Sequence, residues 1–217
     1  MRNDLKYSQH THSYWALRNA VGWIGILLPF TLMFGVFLIF KGDIIQESIS
    51  HYYYTGMRNV FVGALCAVSL FMFFYSGYDK RDDWVGHIAG FFALVVAWFP
   101  TTEVGPSNWI GKIHFASAAA LFLILAVFSL FLFTKTKKGS NPTPQKLKRN
   151  KIYIICGVIM IVCLIAIVIY KNFIHADNSE SSFVFWAETV VLVAFGVSWL
   201  TKGETIYPDK LEKASGS

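Results

Sequence analysis

The stretch FVFWAETVVLVAFGVSWL, residues 183–200, holds a single ionisable group, Glu188, in 18 residues. As a helix it would rise about 27 Å, close to the ~30 Å hydrocarbon core of a bilayer. It shows no strict alternation of apolar and polar residues. A lone strand in lipid would also leave its backbone groups unpaired, so a helix is the economical reading. Five further apolar blocks read the same way, at 21–40, 58–75, 84–99, 112–133 and 152–170, with the sixth at 183–201. Composition agrees. The chain of 217 residues is 55% hydrophobic and 15% charged, where a soluble domain carries about 25% charged residues. The expected fold is an all-α polytopic membrane protein of six transmembrane helices. One membrane domain, 21–201, is flanked by an N-terminal segment, 1–20, and a tail, 202–217. The first block is too long for a cleavable signal, and no small-residue cleavage site follows it.

Charge sets an expected orientation. Lys41, Arg58, Lys112 and Lys171 fall in one set of alternate connections, and the other fifteen of the 19 Lys and Arg residues fall in the opposite set. The excess of basic residues on one side places both termini in the cytoplasm. The net charge of +6 is then a topology signal, and no nucleic-acid partner is expected. The densest basic run, KTKKGSNPTPQKLKRNK (135–151), reads as a flexible cytoplasmic loop. Asp79, Lys80, Arg81, Asp82 and Asp83 read as a solvated turn. Gly86 and Gly90, continued by Ala93 and Ala97, put small residues at spacing four, as close helix contacts in lipid require. Pro29 is expected to bend the first span. Cys66, Cys156 and Cys163 lie inside apolar blocks and read as small buried hydrophobes. Tyr52, Tyr53 and Tyr54 suit the membrane–water interface.

Ionisable groups inside spans carry the functional reading, because lipid makes them costly. Glu188 lies about 8 Å into the sixth span from its outer end. His114, in IGKIHFASAAALF, lies at the same depth in the fourth, and a carboxylate and an imidazole at one depth can pair. Two readings stay open: a buried pair that fixes helix register, or the centre of a polar pocket opening to the outer leaflet. In the second, His114, Glu188 and Ser50 are the catalytic candidates, with His114 as general base oriented by Glu188. Glu47, His51, Tyr54, Arg58, His175 and Asp177 are the ligand-binding candidates. No H-E-x-x-H, C-x-x-C, G-x-S-x-G or Walker loop is present, and no metal or other cofactor is expected. The alternative is a zinc held by His51, His114, His175 and Glu188.

Several short features resemble one family. An Ile49–Ser50 pair closes the first outer loop, and the glycine-bearing NVFVGALCAVSLFMFFY follows. His114 opens the fourth span ahead of ASAAA, and Glu188 stands in FWAETVVLVAFG. This plan resembles the damage-regulated autophagy modulators, with the fibroblast-growth-factor-receptor-activating-protein-like proteins, the post-GPI-attachment-factor-like proteins and related bacterial families of unknown function. Eukaryotic members place an acid after the Ile–Ser pair, where this chain has His51. The resemblance implies a six-helix membrane protein concerned with lipids. The leading expectation is a protein that binds or remodels lipid through the outer pocket; if it is an enzyme, hydrolysis or acyl transfer on a lipid is the class. A small ion- or proton-coupled transporter with His87 as the inner group, and a structural partner subunit, are the alternatives. Membrane lipids are the expected partners, and a homo-oligomer is compatible with each reading.

Overall fold

In a computed structural model, residues 2–103, 108–136, 139–174, 181–203 and 205–206 are described, with backbone alone for residues 2–15. The regular structure among these residues is all helical, with no strand among them. Helix α1 is Arg2–Gly35 and closes in a π turn, Val36–Phe40. A short 3-10 helix, Ile49–Tyr54, precedes α2, Arg58–Phe73. Then come α3, Lys80–Trp98, and α4, Trp109–Val127, which ends in a π turn, Phe128–Leu132. Helix α5, Pro144–Ile169, runs into the π turn Tyr170–Ile174, and α6 is Phe183–Lys202. Four segments are long and apolar enough to cross a membrane: Ala16–Phe40, Trp109–Leu132, Pro144–Ile174 and Phe183–Lys202. Helix α2 is apolar but has only 16 residues, a rise of about 24 Å.

Local chemistry starts the helices. Asp79 caps α3 by accepting from the Arg81 and Asp82 amides at 3.0 and 3.2 Å. Asn108 caps α4 through the Gly111 amide at 2.8 Å. Thr143 caps α5 through the Lys146 amide at 3.1 Å, with Pro144 in the first turn. Each side chain satisfies amides that a helix start leaves without a partner.

The six helices pack as a ring in chain order, each against its sequence neighbours, and α6 closes back on α1. Glycine makes two of these contacts close. A Cβ on Gly196 would meet the Gly22 carbonyl oxygen of α1 at 2.5 Å. A Cβ on Gly86 or Gly90 would meet the Met72 or Ser69 carbonyl oxygen of α2 at 2.8 or 2.9 Å. The small-residue stripe of α3 is thus the face packed on α2, with Ala93 and Ala97 buried, and Ser69 Oγ donates to the Gly90 carbonyl at 2.7 Å. The outside of the ring is apolar. On α5 the exposed residues include Ile155, Val158, Val162, Ile165 and Ile169, a stripe at spacing three and four that water would penalise and lipid accommodates.

The basic end of the bundle departs from expectation in two places. Asp82 is not in a solvated turn; it is 2% exposed. It accepts from the Tyr78 amide at 3.0 Å and from Lys135 Nζ beyond the end of α4. The run 135–151 is not wholly a flexible loop, because α5 starts inside it at Pro144 and buries Lys146 and Arg149. Lys146 Nζ donates to the Phe133 carbonyl at 2.5 Å. That carbonyl follows the last turn of α4, where helix geometry leaves acceptors unpaired, and a lysine fills the role. Above this layer Trp199 packs among Tyr75, Phe128, Phe133 and Phe195, with ring centroids 5.1–5.8 Å apart. Ser129 Oγ, beside them, lies 2.7 Å from both the Tyr153 carbonyl and Ser198 Oγ.

Candidate functional site

The opposite end of the ring is covered by the connection between α1 and α2. Its 3-10 helix lies across the bundle and is fastened to α6 by two hydrogen bonds. The Phe185 amide donates to the Glu47 carbonyl at 3.0 Å, and the Ile49 amide donates to Glu188 Oε2 at 2.8 Å. Tyr52 is fully buried, donates its hydroxyl to the Ile44 carbonyl and sets its ring 5.9 Å from that of Phe185. Burial pushes the Tyr52 phenol up to about 12, against the hydrogen bond from the Gln46 backbone.

His114 is buried on α4, and its Nδ1 lies 2.6 Å from the Phe99 carbonyl oxygen at the end of α3. A carbonyl only accepts, so Nδ1 carries the proton. Buried His114 and half-buried Glu188 therefore do not bond to one another as expected from their common depth. Each takes a backbone group from a neighbouring outer connection, Glu188 the amide of Ile49 and His114 the carbonyl of Phe99. Common depth fixed their level in the ring but not their direction around it. No hydrogen bond joins Ser50, His114 and Glu188 among the described residues, so the expected relay is not assembled.

A different histidine makes the local array. His51 Nδ1 lies 2.7 Å from Ser48 Oγ, and its Nε2 lies 3.6 Å from Glu47 Oε2. Burial holds His51 below its ordinary value of 6.5; Glu47 opposes this and Lys171 adds to it. Ser48 itself is buried and does not line the cavity above it, which denies a substrate access to its hydroxyl. The spacing of three and four in ESISH was the available signal, since such positions meet on one side of a helical turn.

Three spaces surround these groups. An outward-opening cavity of about 1050 Å³ is lined by Lys41, Asp43, Glu47, His51, Tyr54 and Glu103, among others. Tyr54 donates its hydroxyl to the Thr101 carbonyl at 2.5 Å, which ties this rim to the end of α3. At the centre of the ring lies a void of about 60 Å³ lined by Ser50, Glu188 and apolar side chains of α1, α2, α3, α4 and α6. On the outside, α4 and α5 part to leave an apolar groove of about 260 Å³. It runs from Phe115 and Ile169 to Leu123 and Leu164, and its one ionisable lining residue is Glu188. The carboxylate thus borders both the void and the groove.

Of the other candidates, Arg58 lies outside these spaces. It is exposed, stacks 4.0 Å from the Tyr53 ring centroid and donates to the Tyr53 hydroxyl. His175 and Asp177 lie outside the described residues. No group of three or more His, Cys, Asp or Glu side chains able to hold a metal ion occurs among the described residues. Comparison of the chain with family models, curated proteins and solved structures finds no match.

Proposed function

We propose that this chain is an integral membrane protein of six helical spans that holds a lipid in the outer leaflet, at the groove between α4 and α5. In this reading α2 and α3 complete the set of spans, and both chain ends lie on the basic, cytoplasmic side, as the distribution of Lys and Arg argues. The observation that carries the reading is Glu188. A carboxylate lining an apolar lateral groove is costly in lipid, and a bound amphiphile that hydrogen-bonds to it offsets that cost. The likeness to the damage-regulated autophagy modulators belongs with this proposal, since it implies a concern with lipids.

The test is the lipid content of the detergent-purified protein by mass spectrometry. Ala119 lines the groove, and Ala119→Phe fills it from α4 without touching the outer connection. Loss of co-purifying lipid in Ala119→Phe and in Glu188→Leu supports the proposal; unchanged lipid in Ala119→Phe contradicts it. One observation favours a second reading, a purely structural polar layer: His114 and Glu188 are each engaged with loop backbone. That reading gains if both variants keep their lipid and lose only thermal stability. Transport finds less support, because His87 at the inner side sits between the rings of Phe73 and Trp84, 6.1 and 5.9 Å away.

A further inference from the structure

Any lateral groove in a bilayer fills with hydrocarbon, so what selects an occupant here is the polar chemistry at its outer end. Two groups supply it. Glu188 uses Oε2 for the Ile49 amide, while Oε1 makes no hydrogen bond among the described residues. Lys171, in the turn that prolongs α5, holds its Nζ 4.9 Å from the ring centroid of Phe115, a lining residue of the groove. No carboxylate pairs with it among the described residues. From top to bottom the site offers a cation, a hydrogen-bond acceptor and a hydrocarbon slot.

The slot is narrow. Its 260 Å³ falls below the ~300–1,000 Å³ of sites for drug-sized ligands. Along α4, Phe115 to Leu123 covers about 12 Å, most of the depth of one leaflet of a ~30 Å core. That shape suits one acyl chain. A diacyl phospholipid brings only ester carbonyl and ether oxygens to the heads of its chains, all acceptors. With Glu188 ionised, such a lipid brings nothing to donate to it and leaves an acceptor unsatisfied. A lipid with a free hydroxyl at that level donates to Oε1.

We infer that the groove takes an anionic single-chain phospholipid, a lysophospholipid. Its chain lies between α4 and α5, its free glycerol hydroxyl donates to Glu188, and its phosphate pairs with Lys171. This deepens the lipid reading and rests on it.

The experiment uses the full chain in phosphatidylcholine nanodiscs and lysophosphatidylglycerol as the probe, with binding read by native mass spectrometry. Dipalmitoyl phosphatidylglycerol, lysophosphatidylcholine and the 2-O-methyl ether of the probe are the comparison ligands. Methylating the hydroxyl is expected to weaken binding by at least about tenfold, the loss of one hydrogen bond to a carboxylate. Glu188→Leu is expected to abolish the difference between the probe and its methyl ether. Lys171→Gln is expected to reduce the preference for the probe over lysophosphatidylcholine by about fivefold, one basic residue's worth near a lipid phosphate. Equal binding of the probe, its methyl ether and the diacyl lipid by the unaltered protein would overturn the inference, and needs no variant to fold. If diacyl lipid binds and Ala119→Phe expels it, the lipid reading stands and the lysophospholipid falls. If Ala119→Phe displaces no lipid of any class, both fall.

Discussion

The two ends of the ring solve the same problem with different materials. At the basic end, polar and aromatic side chains bond mostly across helices: Lys135 to Asp79 and Asp82, Lys146 to Phe133, Ser129 to Ser198, and Trp199 among four rings. At the outer end, single polar side chains on α4 and α6 hold backbone groups of the connections above them. The first arrangement packs Ser129 and the Trp199 ring against their neighbours, and a groove of about 360 Å³ opens beside Trp199 between α1 and α2, lined by Leu17, Val21, Leu70, Phe74 and Tyr75. The second sets a side-chain atom without a partner among the described residues, Oε1 of Glu188, at the edge of an otherwise apolar groove. The basic end reads as the clamp of the bundle, and the end under the α1–α2 connection carries the candidate site.

The comparison breaks most visibly at Trp199. Replacing a fully packed aromatic residue by alanine costs about 3–5 kcal/mol. Trp199→Ala should therefore lower the thermal midpoint strongly while leaving co-purified lipid unchanged, as read by melting in detergent and by lipid mass spectrometry. Lipid loss in that variant would mean the two ends are not separable. A smaller loss, about 1–3 kcal/mol, is expected for Asp82→Ala, which strands the Tyr78 amide and leaves Lys135 with Asp79 alone. Lys135→Ala should cost less, because Lys135 is half-exposed and its pairing is screened by solvent. The same melting experiment ranks the two, and the reverse order would contradict the assigned role of Asp82.

The third expectation concerns pH at the outer end. The folded protein holds His51 below 6.5, so below that pH the unfolded chain binds more protons than the folded one. Stability is then complete above about pH 6.5 and declines as pH falls through it. The thermal midpoint measured from pH 8 to pH 5 should fall less steeply in His51→Asn than in the unaltered protein. Identical slopes would remove His51 from the account.

Most of this architecture is legible in the sequence, because hydrocarbon permits so few alternatives. The apolar block at 183–201 became α6 to within one residue, and the small-residue stripe at Gly86 and Gly90 became the α2–α3 contact. The starts of α3 and α5 depart from the sequence pattern for one reason. Charged residues at 79–83 and 144–151 look solvated as text, yet Asp82, Lys146 and Arg149 are buried once neighbouring helix ends supply partners. The site was half legible. The cost of Glu188 and His114 in lipid identified both as exceptional, and their shared depth was read from their distance to the same end of their spans. Their partners did not follow, since Ile49 and Phe99 bond through backbone atoms, which every residue carries. The lateral groove depends on how far α4 and α5 part, and no residue pattern encodes that distance.

The central claim is that Glu188 both fastens the outer connection and serves the groove. Hydrogen–deuterium exchange over residues 49–54 in the lipid-bound protein, compared with Glu188→Leu, tests it most directly. The account predicts that exchange at Ile49 and its neighbours accelerates by at least about tenfold, the release of one hydrogen bond to a carboxylate, together with loss of bound lipid. Unchanged protection of this segment and unchanged lipid would contradict it.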